Sequence, residues 1–208
     1  MNRREAIAAG AALLAAGCGQ NNVQRVNTPQ TPQCPCPPTE KTPPENAGLF
    51  ICAFHLAKDN LAEVIPSYHY CSSLSEELHQ CIIYDNNGKN ARLIGIEYVI
   101  SDKLYQALPA QEKTLWHPHK YEISAGILVT PGQPKDCEKK LMGLLYNTWG
   151  KTWHTWPDLT TNIPLGQPKL MWSANKDGEV PQAMIDAMAK KFGLDVEQLK
   201  RERKEYLR

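Results

Sequence analysis

This chain is short of three things: long apolar runs, an excess of charge of either sign, and internal repetition. No uninterrupted apolar stretch reaches the roughly 18 residues that a membrane-spanning helix requires, so the sequence offers no such helix. The 23 basic and 22 acidic side chains nearly cancel. Two arginines and one glutamate lie in the first 17 residues, so the remainder carries equal numbers of each sign. A polyanion finds no basic footprint on such a surface, and nucleic acid is not an expected partner. With no repeats, 208 residues fit one ordinary domain plus appendages.

What is present begins with an address. Asn2-Arg3-Arg4 supplies positive charge, Ala6 to Ala16 is a short weakly apolar stretch, and Ala15-Ala16-Gly17 places small residues before Cys18. That is the layout of a secretory signal. Residues 1–17 read as a signal peptide, twin-arginine-like in its arginine pair, with a lipobox ending at Cys18. The expectation is an exported protein of the cell envelope, held to the membrane by a lipid on Cys18. Residues 18–48 are rich in Asn, Gln, Thr and Pro, including Cys34-Pro35-Cys36-Pro37-Pro38, and predict an extended, semi-rigid tether.

From residue 49 to 208 the signals alternate between strand and helix. Leu49–Leu56, Tyr68–Cys71, Gln80–Tyr84, Arg92–Ile100, Tyr121–Thr130, Lys151–Trp156 and Lys169–Ser173 read as extended. Ser101 can cap a helix, and Lys135–Trp149 is helically periodic, with Gly150 suiting a left-handed C-terminal position. Pro181 opens a helix that closes at Gly193, and Asp195 with Gln198 can cap a last, highly charged one whose charges read as a solvated face. The order predicts a single α+β domain, a mainly antiparallel sheet flanked by helices.

Several longer motifs stand out. They are His69-Tyr70-Cys71, Gln80-Cys81-Ile82-Ile83-Tyr84-Asp85 and Ala91-Arg92-Leu93-Ile94-Gly95-Ile96-Glu97-Tyr98, followed by Leu115-Trp116-His117-x-His119-x-Tyr121-Glu122, Gly150-Lys151-Thr152-x-His154 and Pro164-Leu165-Gly166-x-Pro168. In this order the chain resembles the oil body-associated protein family, known from plant seeds and represented in bacteria as a domain of unknown function. The resemblance runs from about Phe54 to the C-terminus. It implies a link to a lipid surface and brings with it no established catalytic activity.

The same motifs hold the chemistry. His117 and His119 flank a proline in what should be extended backbone, which projects both rings to one side. His69 and Cys71 share that two-residue spacing, as do His79 and Cys81. Were the segments around residues 70 and 81 neighbouring strands, these groups would converge. Nitrogen and sulfur donors of this kind suit zinc, or copper or iron with more histidine. The candidate ligands are His69, His117, His119 and His154, with Cys71, Cys81 and His79 as additional donors and Glu122 as a carboxylate that orients a histidine.

Other readings compete. Cys71 and Cys81 serve equally as packed thiols or a disulfide, and the six cysteines other than Cys18 allow 15 pairings. The five tryptophans suit core anchors, an apolar ligand pocket or a lipid interface. Three functions follow: a tethered, non-catalytic binding protein with a histidine metal site; a structural or lipid-associating module without metal; or a metal-dependent enzyme on a small apolar ligand.

Overall fold

The computed structural model describes residues 41–207. The signal peptide, Cys18 and the tether up to residue 40 lie outside the described residues. Helix α1 (Pro43–Asn46) follows, in the stretch expected to be tether. Strands β1 (Leu49–Ala57), β2 (Asn60–Ser73), β3 (Leu78–Tyr84) and β4 (Leu93–Ser101) then form a meander. Helices α2 (Asp102–Gln106) and α3 (Ala110–Lys113), strand β5 (His117–Pro118) and helix α4 (Lys120–Ser124) lead to α5 (Lys135–Leu145). Strands β6 (Thr148–His154) and β7 (Lys169–Trp172) precede helices α6 (Gln182–Phe192) and α7 (Val196–Tyr206).

The sheet is antiparallel throughout but does not stay open. Its order is β4-β3-β2-β1-β7-β6-β5, and β4 also pairs with β6, which closes a six-stranded barrel. The expected sheet flanked by helices is therefore corrected to a closed barrel with helices around it. Closure leaves no long strand edge to pair with another chain. It also turns alternate residues of every strand toward one shared interior.

That interior is layered. At one end Ile51, Ala53, Cys71, Cys81 and Val99 pack with Ile123 and Leu128 and with Met142 and Leu145 of α5. At the other end Ala57, Ile65, Ile83 and Met171 form a second apolar plug. Between the plugs lie buried polar groups: His55, His69, Glu97, Thr152 and His154 from the strands, with His117 and His119. A third cluster lies outside the barrel, where Phe54, Leu56 and Tyr68 meet Met184, Met188 and Phe192 of α6 and Val196 and Leu199 of α7.

Several local predictions stand. The Ser101 side chain accepts a hydrogen bond from Leu104 N, Asp195 accepts one from Gln198 N, and Gly193 ends α6 at φ 64°. Others are corrected. Tyr121–Thr130 is not a strand, because the chain turns helical at Lys120 and Ile123 N donates to His119 O; only Val129 makes a bridge, to Cys52. The Lys135 helix stops at Leu145, and Gly150 lies inside β6, not at a helix end.

The charged last helix is not wholly solvated either. Arg203 is buried, donating from Nη1 to Ile123 O at 2.7 Å and to Leu128 O at 2.9 Å, while its Nε and Nη2 hold Glu138. It ties α7 to α5 and to the loop after α4. Removing it leaves carbonyls and a carboxylate without their donor, so Arg203→Ala should cost about 3–5 kcal/mol in urea unfolding, against less than about 1 kcal/mol for Lys204→Ala. Equal, small losses for the two variants would refute the clamp.

Candidate functional site

Antiparallel register aligns the polar layer. Glu97 on β4 stands opposite Cys81 on one side and Thr152 on the other. His69 on β2 lies two residues from Cys71, the partner of Cys81. His117 on β5 stands opposite Gly150 on β6, which in turn faces Val99. His119 follows as the residue before α4, so Pro118 holds the two rings on one side as the sequence predicts.

The Glu97 carboxylate is the hub. Its Oε1 lies 3.3 Å from His117 Nε2 and 3.4 Å from His119 Nε2. Its Oε2 lies 3.1 Å from His69 Nε2 and 4.0 Å from His55 Nε2. His69 Nε2 and His55 Nε2 are 3.2 Å apart, and His55 Nδ1 meets His154 Nε2 at 3.0 Å. Burial would raise the Glu97 carboxyl, but the histidine contacts outweigh it and hold the group well below the usual carboxylate range. Burial keeps His55 far below the ordinary histidine range, with repulsion from His69 adding to it. It lowers His117 too, and pushes His154 down to about 3. Burial thus disfavours the cationic form of the His55, His117 and His154 rings, and neutral imidazole is the form that binds metal.

One tautomer is fixed by the surroundings. Thr148 Oγ1 donates its single proton to Leu145 O at 2.7 Å, since a carbonyl can only accept. His119 Nδ1, 2.8 Å from the same hydroxyl, must then donate to it. The Nε2 of His119 thus meets Glu97 either as the second N–H of a buried imidazolium or as a bare lone pair. A lone pair beside a carboxylate oxygen is stable only with a cation between them.

Gly150 shows that there is room for one. A Cβ at this position would lie 2.6 Å from His117 Nε2 and 2.7 Å from His119 Nε2, and it would strike Glu97 Oε1. A point close to all three donor atoms is therefore kept clear by the missing side chain.

The sequence candidates separate on the structure. His69, His117 and His119 come together at Glu97. His154 meets His55 instead, standing behind that ring. His79 is remote, paired with Ser73 Oγ at 2.8 Å at the barrel's outer rim. Cys71 and Cys81 are joined in a disulfide, so neither is a free thiolate donor. Glu122 is buried, and burial together with repulsion from Glu97 raises its carboxyl well above the normal range. Sequence reasoning missed two members, His55 and Glu97. The available signal for Glu97 was a lone charge within Ile94–Ile100, an otherwise apolar strand.

The family described as Protein of unknown function (DUF1264) matches residues 41–207. The chain belongs to this family. Similar curated proteins are oil body-associated protein 1B of Arabidopsis thaliana, 42% identical over 148 residues (71% of this chain and 61% of that protein), and oil body-associated protein 1A of Zea mays, 38% identical over 158 residues (76% and 66%). Oil body-associated protein 2A of Arabidopsis thaliana is 34% identical over 164 residues (77% and 66%). The matched stretch thus spans less than two thirds of each relative's own length. No solved structure matches the chain. These relatives are, by name, oil body proteins of plants, which overturns the expected placement in a cell envelope through a lipid on Cys18. Among the described residues no helix is long and apolar enough to cross a membrane.

The Glu122 environment yields a pH test. An acid whose pKa is raised by folding contributes stability that is fully present below its unfolded pKa, about 4.3, and is lost as pH climbs toward the folded value. Wild-type protein kept in a chelator should therefore lose stability above that pH, and Glu122→Gln should flatten the decline. Urea unfolding at pH 5 and pH 8 measures it. Identical slopes in the two proteins would mean that Glu122 is ionised in the fold.

Proposed function

We propose that this protein is a non-catalytic, lipid-associated metal-binding protein, with a divalent transition metal held inside the barrel by Glu97, His117 and His119. The clear space over Gly150 carries the reading. Zinc bonds to imidazole and carboxylate run about 2.0–2.2 Å, and the edges of a tetrahedron with such bonds are about 3.4 Å. The separations of 3.3 and 3.4 Å from Glu97 Oε1 match those edges. The Thr148 contact on His119 is the kind of outer hydrogen bond that fixes a metal-ligating tautomer. Two histidines and a carboxylate suit zinc, copper or iron.

Full-length protein purified without a histidine tag should retain metal through gel filtration, and His119→Ala should retain less of it. Elemental analysis reads the content. Chelation should lower the wild-type melting temperature by more than that of His119→Ala. Metal-free protein whose melting ignores both chelator and added zinc would leave an imidazolium–carboxylate cluster that serves only the fold.

A second observation favours the lipid-associating role. Tyr70, Ile82, Ile96 and Trp153 stand side by side across β2, β3, β4 and β6 on the barrel's outer face. Ile96 and the neighbouring Tyr98 are exposed. Aromatic and aliphatic side chains in a row are suited to an interface between water and lipid, and the relatives' name points to the same surface. In flotation with phospholipid-coated triolein droplets, Ile96→Lys combined with Trp153→Glu should reduce binding about tenfold, or about 1.4 kcal/mol. Full retention by this variant would place any lipid contact elsewhere.

A further inference from the structure

The two oxygens of Glu97 face different histidines. Oε1 is served by His117 and His119, and Oε2 by His69 and His55. The buried donors therefore form two triads, Glu97-His117-His119 and His55-His69-Glu97, each with its ligand atoms within 4.8 Å of one another. Glu97 is their sole common member. An ion with bonds of about 2.1 Å spans ligands no more than about 4.2 Å apart. The second triad, at 3.1, 3.2 and 4.0 Å, lies wholly within that reach.

We infer that the barrel holds a pair of metal ions, one in each triad, bridged by the Glu97 carboxylate. This rests on the single-site reading above and adds a second ion to it. A carboxylate that turns one oxygen to each of two ions is the arrangement of sites whose metals lie about 3.5–4 Å apart. His154 explains itself in this scheme. For His55 to offer its Nε2 lone pair, the ring's proton must sit on Nδ1, and His154 Nε2 at 3.0 Å accepts it. His154 is thus a positioning residue for His55, and a buried histidine that touches no carboxylate acquires a role. The shared hub also makes the two triads unequal. The first is anchored by Thr148 and roofed by the clear space over Gly150, whereas the second depends on the His55–His154 contact for its ring orientation.

Stoichiometry tests the pair. Full-length untagged chain is stripped with chelator, loaded with zinc(II), passed through gel filtration and analysed for zinc and protein. Two ions per wild-type chain are expected, with one in His69→Ala, one in His117→Ala and none in the double variant. One ion per wild-type chain overturns the pair but keeps the single site. No ion overturns both, and two ions persisting in the double variant mean surface binding and overturn both as well. Because single variants can fail to fold, wild-type protein loaded with copper(II) supplies an independent reading. A spin-coupled electron paramagnetic resonance spectrum is expected, and an uncoupled signal accounting for all the copper refutes a bridged pair.

Discussion

A carboxylate ion sealed inside a small barrel is the constraint around which this protein is built. Removing such a charge from water costs several kcal/mol unless partners compensate. Glu97 has apolar plugs above and below it, so compensation comes from within its own layer. The structure meets that demand with four histidine Nε2 atoms and with nothing cationic by nature such as lysine or arginine. Imidazoles are weak compensation for a charge unless they are protonated, and the proposed cation would complete the compensation better than a network of hydrogen bonds alone.

Closure of the barrel makes the layer possible. The histidines and the carboxylate of the layer come from residues 55, 69, 97, 117, 119 and 154, too distant along the chain for any local motif to gather them. Antiparallel register does so because each strand contributes its inward residue at one height. The Cys71–Cys81 disulfide joins β2 to β3 directly beside Glu97, whose strand partner is Cys81. Arg203 fixes the same end from outside, since Ile123 and Leu128, whose carbonyls it holds, belong to the plug that also contains Cys71 and Cys81.

Legibility in the sequence followed the range of the physics involved. Caps at Ser101 and Asp195 and the stop at Gly193 are local and were readable. The histidines at 117 and 119 were readable too, because a proline between them dictates how the backbone runs. Glu97 was not. In Ile94-Gly95-Ile96-Glu97-Tyr98-Val99-Ile100 the large apolar residues at 94, 96, 98 and 100 look like the core face, which would turn Glu97 to solvent. In the barrel Gly95, Glu97 and Val99 face inside and Ile96 and Tyr98 are exposed, while Ile94 and Ile100 toward the strand's ends are still buried. His55 was hidden for a related reason, sitting in a strand apolar on both faces because β1 is covered by α6 and α7 outside and by the barrel within. Gly150 illustrates a third limit. A glycine after a helical stretch has an ordinary local explanation, and its actual use, clearance for three donor atoms, exists only in three dimensions.

This inversion ties the two halves of the proposed function together. β4 presents Glu97 to the buried polar layer and, at the adjacent positions, Ile96 and Tyr98 to the exterior. β6 does the same with Gly150 and Thr152 inside and Trp153 outside. A slip of one residue in either strand would exchange the faces, burying the lipid-suited side chains and exposing the charged hub. The native register bears both the exposed apolar residues and the buried carboxylate, and what holds it is the rest of the inward set, Val99 in the plug and the histidines around Glu97. Within the outer row Tyr70 packs against Phe50 and Tyr84, whereas Ile96 and the neighbouring Tyr98 stay exposed. The proposed lipid contact would withdraw those two from water, which the packing within the barrel does not do.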